Sequence, residues 1–161
     1  MSQNALVQSP ESGYPAMADS AEGMFVTMAV MNQLFGIPVL QVRDVLGPQK
    51  ITRVPLAPPE VLGALNLRGR IVTAIDVRIR LGQPPRATDA QGMSIVVDHV
   101  GELYSLIVDK VGEVMSLPAS AHEKNPATLD PQWQGVCDGI YRLEDQLLLV
   151  LDVARLLRLE S

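Results

Sequence analysis

An internal repeat constrains the fold of this chain more than any other feature of its sequence. Residues 24–45 align with residues 93–114 without a gap, at a shift of 69 residues. Apolar residues fall on apolar residues and turn residues on turn residues. The closing segments AIDVRIRL and VLDVARLL also agree. Self-similarity in the same order along two segments indicates a duplicated structural unit.

Each repeat consists of short apolar runs separated by turn residues. Residues 24–46 favour two strands joined by a turn at Asn32–Gln33, and residues 50–54 and 70–77 favour further strands. Residues 55–69 are rich in Pro and Gly, which predicts a connection and excludes a central strand. Long crossover helices are missing from the pattern, so a parallel sheet is disfavoured. We therefore predict an all-β protein built from two small barrels of about five strands each.

The repeat also sets the expected domain boundaries. Residues 1–22 are polar and small with little to bury, which predicts an N-terminal tail before a domain over 23–160. The first subdomain is predicted at about 24–82 and the second at about 93–151, joined by a polar linker. The spacing of apolar residues near the end of the chain predicts a C-terminal helix over about 152–160.

Composition excludes several functional classes. The 161 residues carry a net charge of −5, and Lys and Arg form no run, which argues against binding to a phosphate backbone. Nucleic-acid binding by the paired barrels therefore stays a weak alternative. The single cysteine permits no internal disulfide. The sequence shows neither a signal-peptide pattern nor an apolar run of about 18 residues, so we expect a cytoplasmic protein.

The titratable residues do not form a recognisable catalytic or metal-binding pattern. Asp76 and Asp152 occupy equivalent places in the repeat, as the paired carboxylates of aspartic proteases do, but Val follows each of them where those enzymes have a turn. We expect each to cap the helical turn that follows it. His99, His122 and Cys137 lack the spacing of metal ligands, so we predict neither catalysis nor a metal or cofactor.

Several longer motifs occur in order along the chain and together resemble one family. FGIPVLQVRDVLG begins at Phe35, ITRVP at Ile51, GALNLRGRIV at Gly63 and AIDVRIRLG at Ala74. The second half adds IVDKVGEVMSL and LLLVLDVARLL. Over residues 24–160 these segments resemble the CheW family of chemotaxis coupling proteins, in which Asn-Leu-Arg-Gly is a characteristic motif.

The resemblance implies a fold, a role and two surfaces. It implies two five-stranded SH3-like barrels and a non-enzymatic adaptor that reaches the membrane only through its partners. Those partners are the cytoplasmic tip of a chemoreceptor and the regulatory domain of the histidine kinase CheA. An adaptor of a twitching or gliding pathway is the alternative within the family. The implied receptor-binding residues are Val39, Val42, Asp44, Gly63 and Arg68. The implied kinase-binding residues are Ile51 and Thr52 in one lobe and Met93 and Val114 in the other.

Two interpretations of Arg68 stay open at this point. Its side chain can fold back onto Asp44 as a partly buried ion pair that pins the turn, or its guanidinium can face a partner. Val39 and Val42 are three residues apart and point to opposite faces of a regular strand, so we expect one in the core and one in the groove. Gly63 and Gly69 are interpreted as turn glycines.

Overall fold

The computed structural model of the protein describes residues 23–84 and 92–158, so the predicted tail at 1–22 lies outside the described residues. Ten strands form about half of this part of the chain. They are β1 (Met24–Val30), β2 (Gln33–Pro38), β3 (Val42–Leu46), β4 (Val61–Leu67), β5 (Arg70–Asp76), β6 (Met93–His99), β7 (Glu102–Val108), β8 (Lys110–Ser116), β9 (Cys137–Arg142) and β10 (Leu147–Leu151). Three one-turn helices are α1 (Val77–Arg80), α2 (Pro131–Gln134) and α3 (Val153–Leu156).

The strands form two five-stranded sheets with the same internal order. Sheet one has the order β8-β1-β2-β10-β9, and sheet two has the order β3-β6-β7-β5-β4. The repeat relates β1–β5 to β6–β10, and each sheet contains one parallel pair, β2 with β10 and β5 with β7. The duplicated unit and the all-β fold are therefore confirmed.

The strand pairing corrects the predicted split at 24–82 and 93–151. Each sheet takes three strands from one repeat and two from the other, because the chain crosses to sheet two after β2 and returns to sheet one after β7. The repeat predicts the number of strands in each half of the chain, but not which strands pair with one another. Sheet two is therefore the contiguous series β3 to β7, inserted between the two parts of sheet one, and neither sheet corresponds to one repeat.

Each sheet curls into a small SH3-like barrel. In sheet one, Met115 of the edge strand β8 packs in the same apolar cluster as Tyr141 of the opposite edge strand β9. In sheet two, an ion pair joins Asp44 of β3 to Arg68 beyond the end of β4. A third and larger cluster lies between the sheets and joins side chains such as Phe35 of sheet one and Leu106 of sheet two. Two small cores and a central seam therefore hold the molecule together.

Several predicted element boundaries are wrong in detail. The first hairpin turns at Met31 and Asn32, both with positive φ, one residue earlier than predicted. Residues 50–54 form only the isolated bridge between Thr52 and Ala64 instead of a strand. The predicted connection contains β4, which is an edge strand and so tolerates the neighbouring prolines. The predicted C-terminal helix is a single turn, and residues 159–160 lie outside the described part.

A polar cluster joins the two sheets where the chain crosses between β7 and β8. The carboxylate of Asp109 accepts hydrogen bonds from Arg78 Nε at 3.0 Å and Arg78 Nη2 at 2.9 Å. It also accepts the backbone N–H of Met31 at 2.8 Å. The bond to Asp109 is the main cause of the raised pKa of Arg78. One carboxylate thus joins α1, the β1–β2 turn and the crossover between the sheets.

Candidate functional site

The Asn-Leu-Arg-Gly motif forms a tight turn between β4 and β5. The side-chain Oδ1 of Asn66 accepts the backbone N–H of Gly69 at 2.9 Å. Arg68 and Gly69 both have positive φ, +52° and +85°, as a two-residue hairpin turn of type I′ requires. Asn and Gly thus fix the loop, and the arginine is held at its tip. The interpretation of Gly69 as a turn glycine is confirmed.

The turn between β6 and β7 is built in the same way. Asp98 Oδ1 accepts the backbone N–H of Gly101 at 3.1 Å, and Val100 and Gly101 have φ of +53° and +80°. Since β5 and β7 are parallel neighbours, both turns lie at the same end of sheet two. This end of the sheet therefore presents two tips, one carrying Arg68 and one carrying Val100.

Arg68 is paired with Asp44 but is not buried. Arg68 Nη2 lies 3.4 Å from Asp44 Oδ2, and the two side chains are 79% and 28% exposed. The expectation of a partly buried pair is therefore wrong for the arginine. An exposed ion pair contributes at most about 1 kcal/mol to stability. The pair orients the guanidinium, while most of that group stays open to a partner.

An open depression of about 330 Å³ lies beside this pair. A second ion pair lines it, between Arg43 Nη2 and Asp98 Oδ2 at 3.2 Å. Arginines, aspartates and apolar residues of β3 to β7 form the lining: Arg43, Asp44, Leu67, Arg68, Arg70, Val96, Asp98 and Leu103. The sequence indicated only Asp44 and Arg68 of this set. The arginine pattern Arg-Gly-Arg at 68–70 was the available signal for Arg70.

The remaining residues of the expected receptor surface lie outside this depression. Val39 begins a 3-10 turn at Val39–Gln41, and β3 begins at Val42. Both valines are half-buried, and Val42 packs against the central cluster. A 3-10 turn, and not a regular strand, therefore separates them. Leu40 between them is 68% exposed.

Gly63 lies within β4 and not in a turn, which corrects the sequence interpretation. It has φ of +151° beside a shift in the β4–β5 register. A Cβ atom added there would overlap the carbonyl oxygen of Thr52. Glycine is required because the chain at Thr52 passes directly against β4.

Three of the four expected kinase-binding residues lie at two separate sheet edges. Met93 lies on an inner strand of sheet two, and so not in the same lobe as Val114, which corrects the expected grouping. Ile51 and Thr52 run beside the edge strand β4 of sheet two, where Ile51 packs against that barrel's core and Thr52 is exposed. Val114 lies on β8, an edge strand of sheet one, and is 47% exposed. Met93 begins β6 and is half-buried against the central cluster.

The carboxylates considered for catalysis have structural partners. Asp76 Oδ1 accepts the backbone N–H of Arg78 at 3.0 Å, and Asp152 Oδ1 accepts that of Arg155 at 3.2 Å. Both aspartates therefore cap helical turns as predicted. Burial raises the pKa of the Cys137 thiol to about 12, so this group stays protonated at neutral pH and is not a nucleophile.

The two histidines belong to different surroundings. His99 ends β6 with its ring near that of Tyr104, and His122 Nε2 lies 2.7 Å from the carbonyl oxygen of Asp138. Among residues 23–84 and 92–158, no three His, Cys, Asp or Glu side chains gather in a way that could hold a metal ion. In the same part of the chain, no helix has the length and apolarity needed to cross a membrane.

Comparison with known proteins gives consistent matches over both sheets. The family model of the CheW-like domain matches residues 24–161. The chemotaxis protein CheW of Bacillus subtilis is 30% identical over 142 residues, covering 88% of this chain and 90% of that protein. The chemotaxis protein CheW of Klebsiella aerogenes is 29% identical over 137 residues, covering 85% of this chain and 82% of that protein.

A solved structure shares the arrangement of strands. The crystal structure of the scaffolding protein TtCheW from Thermoanaerobacter tengcongensis matches with a TM-score of 0.76 at 27% identity. The match covers 86% of this chain and 94% of that chain. The likeness therefore extends over nearly all of the two sheets described above.

Proposed function

Since the chain belongs to the CheW-like family of chemotaxis adaptors, we propose that it couples chemoreceptors to the histidine kinase CheA without catalysing a reaction. The observation that carries this proposal is the exposed Arg68 fork, fixed by the turn and by Asp44 beside an open depression. A guanidinium held in this way can donate paired hydrogen bonds to a partner carboxylate or carbonyl.

Receptor and kinase are assigned to different parts of the surface. We assign the receptor tip to the end of sheet two that carries Asp44 and Arg68, continuing toward Val39, Val42 and Gly63. We assign the kinase regulatory domain to Ile51 and Thr52 beside one edge of sheet two and to Val114 at an edge of sheet one. Met93, at the start of β6, is assigned to the same partner. The protein acts in the cytoplasm and reaches the membrane through its receptors.

The two surfaces are compatible with more than one pathway. We propose a role in chemotaxis, and an adaptor of twitching or gliding motility is the alternative. Neither pathway requires a different geometry of the two surfaces. The receptors that bind the chain in its own cell distinguish the two pathways. Co-purification from that cell identifies these receptors.

The proposal predicts a selective effect of Arg68→Ala. The variant should bind a soluble chemoreceptor tip fragment about 1–3 kcal/mol more weakly, because a charge-assisted hydrogen bond is lost. Its affinity for the kinase regulatory domain should change much less. Isothermal titration with each partner in turn measures both affinities.

Arg142→Ala is the matched control for this experiment. Arg142 of β9 forms an exposed ion pair with Glu123, in the sheet that does not carry Arg68. Equal loss of both affinities for Arg68→Ala, together with a lowered melting temperature, would assign Arg68 to the fold alone. An unchanged receptor affinity would remove it from the interface.

A further inference from the structure

The depression at the end of sheet two carries an excess of positive charge. Three arginines and two aspartates line it. Asp44 is paired with Arg68 and Asp98 with Arg43. Arg70 is exposed and has no ion-pair partner among residues 23–84 and 92–158. In a chain with a net charge of −5, this leaves one uncompensated guanidinium beside two pairs that are already satisfied.

An exposed apolar side chain lies in a turn whose flanking residues line the same depression. Val100 is 86% exposed at the tip of the β6–β7 turn, between Asp98 and Leu103, which both line the depression. Its φ of +53° is an outlier for a β-branched residue, since Asn or Asp suits this position better. Val100 is therefore both exposed to water and held in a strained backbone conformation. Such strained residues are often found at binding sites.

Resting on the proposed function, we propose that this depression binds an acidic residue of the chemoreceptor tip, with Arg70 as its ion-pair partner. Val100 covers an apolar side chain next to that acidic residue. Charge complementarity favours a single carboxylate over a phosphate group, because Asp44 and Asp98 repel a doubly charged anion. Continuity with the Asp44–Arg68 pair favours the receptor over the kinase, whose expected contact Thr52 lines a different depression. Arg70 is thus a specificity residue that selects receptors by the charge at one position.

The test is a titration of the full chain with a soluble chemoreceptor tip fragment at two salt concentrations. Arg70→Gln should weaken binding about three- to tenfold at low salt, and Arg70→Glu should weaken it more, because the charge is reversed. The salt dependence of the affinity should be smaller for Arg70→Gln than for the wild type. Arg158→Gln is the matched control, since Arg158 is exposed and does not line this depression.

Val100→Asn tests the apolar contact independently of charge. Asn-Gly is favoured in this turn, so the melting temperature should stay the same or rise while the receptor affinity falls. A loss of affinity that accompanies a loss of stability would contradict the assignment. An unchanged affinity in this stable variant would also contradict it.

The outcomes separate this inference from the proposed function. If Arg68→Ala weakens receptor binding while Arg70→Gln does not, the adaptor role stands and the Arg70 assignment is wrong. If Arg70→Gln instead weakens binding of the kinase regulatory domain, the assignment of the depression to the receptor tip is wrong. If the wild type binds no receptor fragment, the proposed function itself fails. Replacing the acidic residue of the fragment by a basic one should weaken its binding to the wild type. If Arg70→Glu restores the affinity for this fragment variant, the ion pair is established.

Discussion

At the scale of single residues, Gly63 shows how a backbone position can matter without presenting a side chain. Its Cα faces the carbonyl oxygen of Thr52, and that segment is held to β4 by two hydrogen bonds of 2.8 Å between Thr52 and Ala64. A methyl group at Gly63 therefore forces apart the two chain segments that carry expected partner contacts.

Gly63→Ala should destabilise the protein by roughly 1–3 kcal/mol, because steric overlap adds to an unfavourable φ. Urea denaturation measures the change in unfolding free energy. Gly47→Ala is the matched control, since an added Cβ there meets no atom within 4 Å. If both variants unfolded at the same urea concentration, the close approach of Thr52 would not be a constraint on this position.

The residues that the sequence could and could not indicate differ in a physical way. The sequence could indicate Arg68 and Asp44 as candidates because they lie in recognisable motifs, and the structure pairs them. The caps at Asp76 and Asp152 were predicted correctly because the local signal is complete. The exposure of Arg68 and the cluster around Arg70 depend on how the sheet curls, which brings together residues distant in sequence. No local pattern encodes that curvature.

At the scale of elements, the α1 turn and the β7–β8 crossover are held together by a shielded ion pair. Arg78 and Asp109 are 25% and 19% exposed, and the carboxylate also accepts the N–H of Met31. The first crossover, at Val39–Gln41, has the exposed Leu40 at the position equivalent to Asp109. The repeat is therefore symmetric in strands but not in the polar contacts that join them.

Asp109→Ala should cost about 2–4 kcal/mol of unfolding free energy, because it leaves a partly buried guanidinium and a backbone N–H without their carboxylate. Chemical denaturation measures the change. Glu123→Ala, which removes the exposed ion pair with Arg142, should cost less than about 1 kcal/mol. Comparable losses in the two variants would show that the Asp109 cluster contributes no more than an ordinary surface pair.

Element prediction from the sequence succeeded where periodicity was strong. β1, β2, β5 and the α1 turn were indicated, while β4 was assigned to a connection because prolines and glycines surround it. An edge strand tolerates those residues, since only one of its sides must pair along its length. Residues 50–54 were assigned as a strand from apolar content, but they make a single bridge.

At the scale of the whole molecule, the exchange of strands between the two repeats joins the two lobes into one body. One sheet combines β1 and β2 with β8 to β10, and the other combines β3 to β5 with β6 and β7. Each crossover commits part of one repeat to the other sheet, and the central cluster buries side chains from both. Sequence could indicate the duplication but not this exchange, because strand neighbours are set by long-range pairing. The result is one body in which the two sheets share a central core.

We expect the chain to hold receptor and kinase at the same time. Size-exclusion chromatography with light scattering, on the full chain mixed with a receptor tip fragment and the CheA regulatory domain, measures this. A single complex should form whose mass includes all three proteins, and saturation with one partner should change the affinity for the other less than about threefold. Stoichiometric displacement of the kinase domain by the receptor fragment would show instead that the two partners compete for one surface.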